Sequence, residues 1–384
     1  NTQTTFFTPI NTINIIENTN NKLFFNSLKS KLILTKNTNK NYFKNNFEIN
    51  NYWDSQSGKI VLNNENITQN TEIPYTSFSN KLKLIKPFGK KLITIKTILT
   101  YSKSPQNLRI ATSLFENLLN NGNSFDELNQ RIKHSNFYIN NSFSFTKRIK
   151  KITFVPKVGF TIQKQQLDSR LSIFENNIEN ILSNEFQNNL IFNKTSYYTI
   201  LNTQYNNNNW KIELEAPFKI QNFKRADNSL NKNQNLKKLT FEPRLSIKKD
   251  LNSFWKTTFS ASLKNSFGDI NQLYYGYILN NYRNIQKYET PILESLRKNV
   301  ALGITYRNPI KSLFINGFYS YANSNQNLLF GNIINNNGAT SFGFFEQDNN
   351  SNTHNVNLRA SKYFSKLKTT FTLTTNASLE KEGQ

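Results

Sequence analysis

The chain has 384 residues, 48 Lys and Arg against 24 Asp and Glu, a formal charge of +24, and neither Cys nor Met. Without Cys, disulfides, thiolate metal sites and thiol catalysis are excluded, while a charge of this size calls for a polyanionic neighbour: nucleic acid, lipid head groups or lipopolysaccharide phosphates. No leader-like segment or run of about 18 apolar residues occurs, which excludes a helical span but not barrel strands of about 9–11 residues.

In chain order, residues 1–20 read as part of a strand or an outer loop, and a first hairpin is expected to pair about 23–35 with 42–53. A polar, Asn-rich loop is expected at 54–72; its triplet Asn66-Ile67-Thr68 matches a glycosylation acceptor, a frequent coincidence in so Asn-rich a chain. Pro87-Phe88-Gly89-Lys90 reads as a short turn, and 103–134 as a second long loop. Within it, Ser124 and Glu127 form a capping box expected to open a helix through Leu128 and Ile132. After a turn at Lys147-Arg148-Ile149-Lys150, the residues Ile152, Phe154, Pro156, Val158, Phe160 and Ile162 alternate with Lys151, Thr153, Lys157 and Thr161. The segment 164–192 reads as a third loop, with Leu167, Leu171, Phe174, Ile178 and Ile181 at helical spacing.

A strand over about 193–205 turns at Asn206 to Asn209 into Trp210, Ile212, Leu214, Ala216, Phe218 and Ile220, interleaved with Lys211, Glu213, Glu215 and Lys219. The two glutamates share a face with the lysines, which suits a salt network better than an acid/base pair. After a loop at 223–236, Leu239, Phe241, Pro243, Leu245 and Ile247 alternate with polar residues; Asp250-Leu251-Asn252 turns the chain into Trp255, Phe259, Ala261 and Leu263. The next loop, 266–297, precedes Val300, Leu302, Ile304 and Tyr306, and Pro309-Ile310-Lys311 is a turn. A last loop at 325–352 and a turn at Ser365-Lys366 lead to Phe371, Leu373, Ala377 and Leu379.

Strict period-two alternation marks strands with two unlike faces. Runs of about ten residues match the tilted span of an outer-membrane strand, whereas strands of soluble sheets average about five or six. Short and long connectors alternate along the chain. The expected fold is therefore all-β: a transmembrane antiparallel up-and-down β-barrel with about fourteen strands, short periplasmic turns and long outer loops, residues 1–384 forming one partial barrel domain. Apolar residues would face lipid and polar ones the lumen. Aromatic residues near strand ends (Tyr52, Trp53, Tyr101, Tyr197, Tyr198, Trp210, Tyr319, Tyr321, Tyr363, Phe364) suit interfacial girdles, and basic turns such as Lys147-Arg148 and Lys150-Lys151 suit lipid head groups. With Gly and Pro scarce, Asn is expected to do most of the turn work. Two such sheets packed on their apolar sides remain the soluble alternative.

The chemistry of catalysis is not visible. No Gly-rich phosphate loop, HExxH or nucleophile elbow occurs, and the two histidines, His134 and His354, lie far apart. No enzyme activity, cofactor or metal site is expected.

The run Asn271-Gln272-Leu273-Tyr274-Tyr275-Gly276-Tyr277-Ile278-Leu279, followed by Asn281-Tyr282-Arg283-Asn284 and Leu302-Gly303-Ile304-Thr305-Tyr306-Arg307-Asn308-Pro309, resembles the late barrel of TonB-dependent receptor-like proteins of Bacteroidetes. The hairpin from Pro309 to Tyr321 and the turn Lys86-Pro87-Phe88-Gly89-Lys90-Lys91 are similar to the same group. The resemblance implies a 22-stranded barrel around an N-terminal plug, with TonB relaying inner-membrane energy to import a bulky solute. The chain shows no plug or TonB box, and Glu380-Lys381-Glu382-Gly383-Gln384 lacks a terminal aromatic strand, so a piece of a longer protein is expected. Partners on this reading are outer-membrane lipid and lipopolysaccharide, the TonB complex through the missing plug, and an unknown small solute or glycan, with no nucleic acid. The outer loop at about 268–297 is the candidate ligand surface, where Tyr274, Tyr275, Tyr277, Tyr282 and Arg283 can stack on or hydrogen-bond a sugar or chelate, or instead pack the loop onto the barrel rim. A passive porin and a soluble β-rich glycan- or polyanion-binding protein are the competing functions.

Overall fold

The computed structural model describes residues 2–7, 12–39, 41–63, 65–89, 91–112, 114–334 and 340–382. Nearly all of them lie in one antiparallel sheet. It begins with β1 (Thr2–Phe7), β2 (Thr12–Phe24), β3 (Ser27–Asn37), β4 (Tyr42–Leu62), β5 (Glu65–Phe88) and β6 (Lys91–Ala111). After the helical turn α1 (Glu116–Leu119) come β7 (Glu127–Ile149), β8 (Ile152–Glu175), β9 (Ile178–Ile181), β10 (Gln187–Asn206) and β11 (Trp210–Asp227). The remainder is β12 (Lys232–Phe241), β13 (Arg244–Asp250), β14 (Trp255–Phe267), β15 (Ile278–Asn281), β16 (Asn284–Gln286), β17 (Glu294–Asn308), β18 (Leu313–Ile334), β19 (Thr340–Phe364) and β20 (Thr369–Glu382).

Each long strand pairs with its sequence neighbours, the pattern of an up-and-down meander. β2 and β3 lie end to end along β4, and β12 and β13 lie end to end along β11. The second break falls at Glu242-Pro243, where proline has no N–H for the ladder. With each such pair taken as one strand and the short β1, β9, β15 and β16 set aside, fourteen strands run through the sheet, as the alternation predicts. Among the described residues β20 does not pair with β1, β2 or β3, so the sheet has two free edges.

The short turns fall where the sequence places them. Gly89 (φ 58°), Lys150 (φ 52°) and Lys368 (φ 49°) supply left-handed backbone at that end. At the opposite end the same work falls to Asn63, Asn121, Asn176, Asn177 and Asn231, whose short amide side chains tolerate that conformation.

The outer loops differ from expectation. The segments 54–63, 65–72, 223–236 and much of 164–192 and 325–352 are continuations of the strands, joined by turns such as 228–231. β5 has 24 residues, about 79 Å of extended chain at ~3.3 Å per residue, far more than a bilayer needs. The helix expected after the capping box is absent, because Leu128 and Ile132 belong to β7; the one α-helical turn lies at Glu116–Leu119. Leu167 and Leu171 likewise lie in β8, on one face of a strand.

A change of phase explains both differences. On β8, Val158 and Ile162 are exposed on the outer face, whereas Leu167, Leu171 and Ile173 are buried on the inner face. On β11, Leu214, Phe218 and Ile220 are exposed outward while Phe223 is buried inward; on β6, Ile95 and Tyr101 point out while Leu108 and Ile110 are buried. Alternation continues, but the apolar set crosses from the outer to the inner face. This is expected where a strand leaves hydrocarbon: below that level the outside is lipid and the lumen is wet, and above it the outside is water and the inside holds a core. Because leucines at 167 and 171 are also four apart, the inverted stretch imitates a helical period.

Aromatic side chains exposed on the outer face include Trp53, Tyr101, Tyr197, Trp210, Tyr319 and Phe364; Trp210 and Phe364 lie at strand ends as expected, but Trp53, Tyr101 and Tyr197 lie mid-strand because their strands run on through the expected loops. Tyr52 and Tyr198 instead face the lumen: Lys29 lies over the ring of Tyr52, and the Tyr198 hydroxyl donates to Asn140 Oδ1 at 2.7 Å.

Candidate functional site: a loop folded across the barrel mouth

Among the described residues the longest connector is a true loop. Residues 268–293, between β14 and β17, turn inward over the inner face of the sheet. The loop opens with a 3-10 turn, Ile270–Gln272, whose cap Asp269 accepts from Asn271 N. The β15–β16 hairpin follows, and β16 pairs in parallel with Thr340–Phe342 of β19.

The loop also fixes the curvature of the sheet. Arg283 lies 3.7 Å from Glu17 of β2, and its carbonyl accepts from Thr340 N of β19 at 2.7 Å. Laid flat, β2 and β19 would be about 58 Å apart at ~4.8 Å per strand step. One residue reaches both strands only if the sheet curls on itself.

Buried amides on the wall hold the loop backbone. Asn188 of β10 accepts from Tyr275 N (3.1 Å) and Gly276 N (2.7 Å), and donates to Gly276 O (3.2 Å) and Ser169 Oγ (2.8 Å). Gln130 of β7 accepts from Leu279 N, and Gln69 of β5 from Tyr282 N, each at 3.0 Å. Asn327 of β18 accepts from Glu294 N at 2.8 Å and donates to Ile292 O at 3.3 Å. Arg225 of β11 donates to Leu273 O (3.3 Å) and Thr290 O (2.8 Å), with its guanidinium 4.2 Å from the Tyr275 ring. A loop buried inside a barrel must satisfy its peptide groups somewhere, and here wall side chains do it. At Gly276 a Cβ would lie 2.4 Å from Gln187 O, so only glycine fits the approach.

Apolar side chains fill the space between these anchors. Ile270, Leu273, Tyr274, Tyr275, Ile278 and Ile292 pack with Leu167, Leu190, Phe192 and Phe223. Leu279, Tyr282 and Ile285 join a second cluster with Ile15, Ile60, Ile67, Ile110, Leu128 and Leu171. The inner-face apolar residues above the change of phase are thus the seat of this loop.

The five residues expected at a ligand surface are not gathered into one pocket. Tyr274 is buried edge-on against Tyr288, with its hydroxyl donating to Gln286 Oε1 at 3.3 Å. Tyr275 is buried beneath Arg225, and Tyr282 is buried beside Glu17. Burial pushes all three phenols above the ordinary tyrosine range, so they stay protonated. Tyr277 is half-buried, stacked on Phe186 at 5.3 Å with Lys287 over its other side at 4.8 Å. Arg283 is half-buried and directed at Glu17. Burial disfavours the Glu17 carboxylate, but the Tyr282 hydroxyl beside it, a hydrogen bond from Thr19 and the Arg283 charge outweigh it and hold its pKa below the usual value. Packing onto the barrel therefore engages Tyr274, Tyr275 and Tyr282, and leaves Tyr277 and Arg283 with surface to offer.

The wall anchors Gln69, Gln130, Asn188, Arg225 and Asn327 escaped the sequence reading. Their one signal is a polar side chain within an inward apolar row, as in Asn188, Leu190, Phe192, and a chain this rich in Asn hides it.

Below the loop the lumen wall is polar. A cavity of about 500 Å³ is lined by Glu215, Lys219, Glu242, Arg244, Lys264 and Arg297, among others. The expected salt network is present in altered form: Lys211 pairs with Glu213 at 2.9 Å, while Lys219 pairs with Glu242 at 2.6 Å. Among the described residues no three His, Asp or Glu side chains gather as a metal site. His354 Nδ1 is 2.9 Å from the Tyr319 hydroxyl.

No family model and no curated protein matches the sequence. Solved structures do. The ferric citrate transporter FecA in its unliganded form aligns over 96% of this chain and 60% of its own, with a TM-score of 0.53 at 10% identity. The copper transporter OprC gives 96%, 61%, 0.54 and 10%, and the ferric yersiniabactin uptake receptor FyuA from Yersinia pestis gives 96%, 61%, 0.51 and 9%. The fold is that of a transmembrane antiparallel β-barrel. At such identities the likeness concerns the barrel alone, and the chain spans about three fifths of the length of these structures. The barrel wall accounts for the exposed apolar belt, which a soluble sheet would bury.

Proposed function

We propose that this chain forms part of the wall of a Gram-negative outer-membrane receptor or transporter that takes up a bulky solute, its transport driven through TonB in the full-length protein. The carrying observation is the change of phase along single strands, which puts apolar side chains against lipid below and under a folded-in loop above. Solved transporters and an uptake receptor share the barrel, and the motifs at 271–284 and 302–309 resemble TonB-dependent receptor-like proteins of Bacteroidetes. On this reading a plug-like domain and the TonB complex are partners, lipopolysaccharide and lipid surround the belt, and no nucleic acid is involved. The basic turns at Lys147, Arg148, Lys150 and Lys151 meet head-group phosphates. Tyr277 and Arg283 make first contact with the solute, and Tyr274, Tyr275 and Tyr282 hold the loop that presents them.

The test is to purify the full-length protein from outer membranes and reconstitute it in planar bilayers. A closed barrel that conducts only after residues 268–293 are deleted supports a gated receptor. Steady conductance of the intact protein would favour a passive porin, and a folded monomer in detergent-free buffer would refute the membrane reading altogether.

A further inference from the structure

The lumen wall is electrically uneven. On the wall of β11 to β17, Lys211–Glu213, Lys219–Glu242 and Lys256–Asp250 are ion-paired and Glu215 faces Arg244 across β11 and β13, which offsets part of the charge of a face that also carries Lys248, Lys264 and Arg297. The wall made by β4 to β8 differs. Lys44, Lys83 and Lys96 are direct cross-strand neighbours on three consecutive strands, so their ammonium groups form one row. Lys81 lies two residues along β5 on the same face, and Lys157 of β8 lies on that face across β7 from Lys96, which is opposite Ser142 as Lys157 is opposite Ser144. These side chains face the lumen, in phase with Ile60 and Ile67 of the inner core and opposite to the lipid-facing set. Lys83 lies 5.5 Å from the Tyr42 ring and Lys157 5.9 Å from the Tyr198 ring.

Among the described residues none of the five lysines has a carboxylate within ion-pair distance, and Glu48 is the one acid on that face at this depth. Like charges directly opposite one another weaken a sheet, so folding gains nothing from the row. Water alone would be served by the Ser, Thr and Asn side chains that β7 places beside it. A row of ammonium groups about 5 Å apart suits a ligand with several anionic oxygens spread over comparable distances.

We propose that the lumen wall of β4 to β8 is a binding ladder for a solute carrying two or more carboxylate or phosphate groups. The proposal rests on the transporter reading and names the class of solute that passes. Lys44, Lys83 and Lys96 take the anionic groups in turn, and Lys81 and Lys157 widen the positive field on either side. On the wall opposite, acids offset part of the basic charge and the attraction is weaker.

The experiment uses the full-length protein in nanodiscs and two probes, tricarballylate for carboxylates and pyrophosphate for phosphates, with sucrose as the neutral control. Binding is followed by calorimetry at low and at physiological salt. One or both anions are expected to bind, weaker in salt, and sucrose not at all; the preferred anion tells carboxylate from phosphate. Replacing the row by K44Q, K83Q and K96Q together is expected to weaken binding roughly tenfold or more, the loss of at least one charge-assisted contact. K211Q on the paired wall is expected to stay within about twofold. Folding of each variant is read beforehand from the shift between unheated and heated electrophoretic bands. Failure of the wild type to show that shift sinks the transporter reading and the ladder with it. A folded triple variant that binds like wild type, absence of anion binding, or equal binding of sucrose overturns the ladder alone; an acidic segment of the full-length protein covering the lysines would appear as absence of binding.

Discussion

Replacing Asn188 by leucine tests whether wall side chains hold the loop in place. Leucine keeps the branched skeleton of asparagine and is bulkier, so the change removes hydrogen bonds without opening a cavity. Asn188 is 2% exposed, and its amide serves Tyr275 N, Gly276 N and Gly276 O. Without it two buried N–H groups of the loop lose their acceptor, at about 1–3 kcal/mol each. Even the lower total, about 2 kcal/mol, is a roughly 30-fold rise in the population of detached loop. β10 itself keeps full ladders to β8 and β11, so the barrel stays folded. The assay is hydrogen exchange by mass spectrometry on the full-length protein in detergent, with chymotryptic cleavage after Tyr274, Tyr275 and Tyr277 as a second readout. Faster exchange confined to 268–293 and new cleavage there are expected. Protection equal to wild type in a folded barrel would show that the apolar clusters alone seat the loop.

Further outcomes follow from the same geometry. Gly276→Ala puts a methyl 2.4 Å from Gln187 O and 3.0 Å from Glu185 O, and is expected to lift the loop at a cost of about 1–3 kcal/mol, seen as exchange at Tyr275 to Tyr277. The Glu17–Arg283 link depends on acid: with the Glu17 pKa held below its ordinary 4.5, the link contributes fully above that pH and is lost as pH falls through the lower folded value. A label at the exposed residue Asn280 should therefore gain mobility only below about pH 4.5, and Glu17→Gln should abolish that pH dependence; an unchanged profile would remove Glu17 from the account. Phe218→Arg on the lipid face is expected to cost about 2–4 kcal/mol in bilayer refolding, against little for Asn202→Arg, whose position lies opposite Glu215 on the lumen face. A loss at the lumen position as large as that at Phe218, or larger, would refute the assignment of the faces.

Alternation by itself determined much of this protein. Residues such as Ile212, Leu214, Phe218 and Ile220 report a two-faced strand because side chains on extended backbone point in turn to either side, and no tertiary contact can alter that. The basic short turns and the Asn-rich left-handed corners are equally local, since φ above zero is a property of the residue that occupies it. What sequence could not contain is which side of the sheet is wet at a given height. Leu167, Leu171 and Ile173 are apolar in either case; only the curled barrel, with the 268–293 loop laid over them, decides that they face inward and that the long polar stretches are strands in water. The loop tyrosines carry the same lesson. Their sequence suits a sugar or chelate as readily as a core, and Tyr274, Tyr275 and Tyr282 become anchors because Asn188, Gln69 and Arg225, distant along the chain, meet them across the lumen. The lysine row is of that kind too: Lys44, Lys83 and Lys96 become neighbours only through strand register, which hydrogen bonds between strands set and sequence spacing does not show.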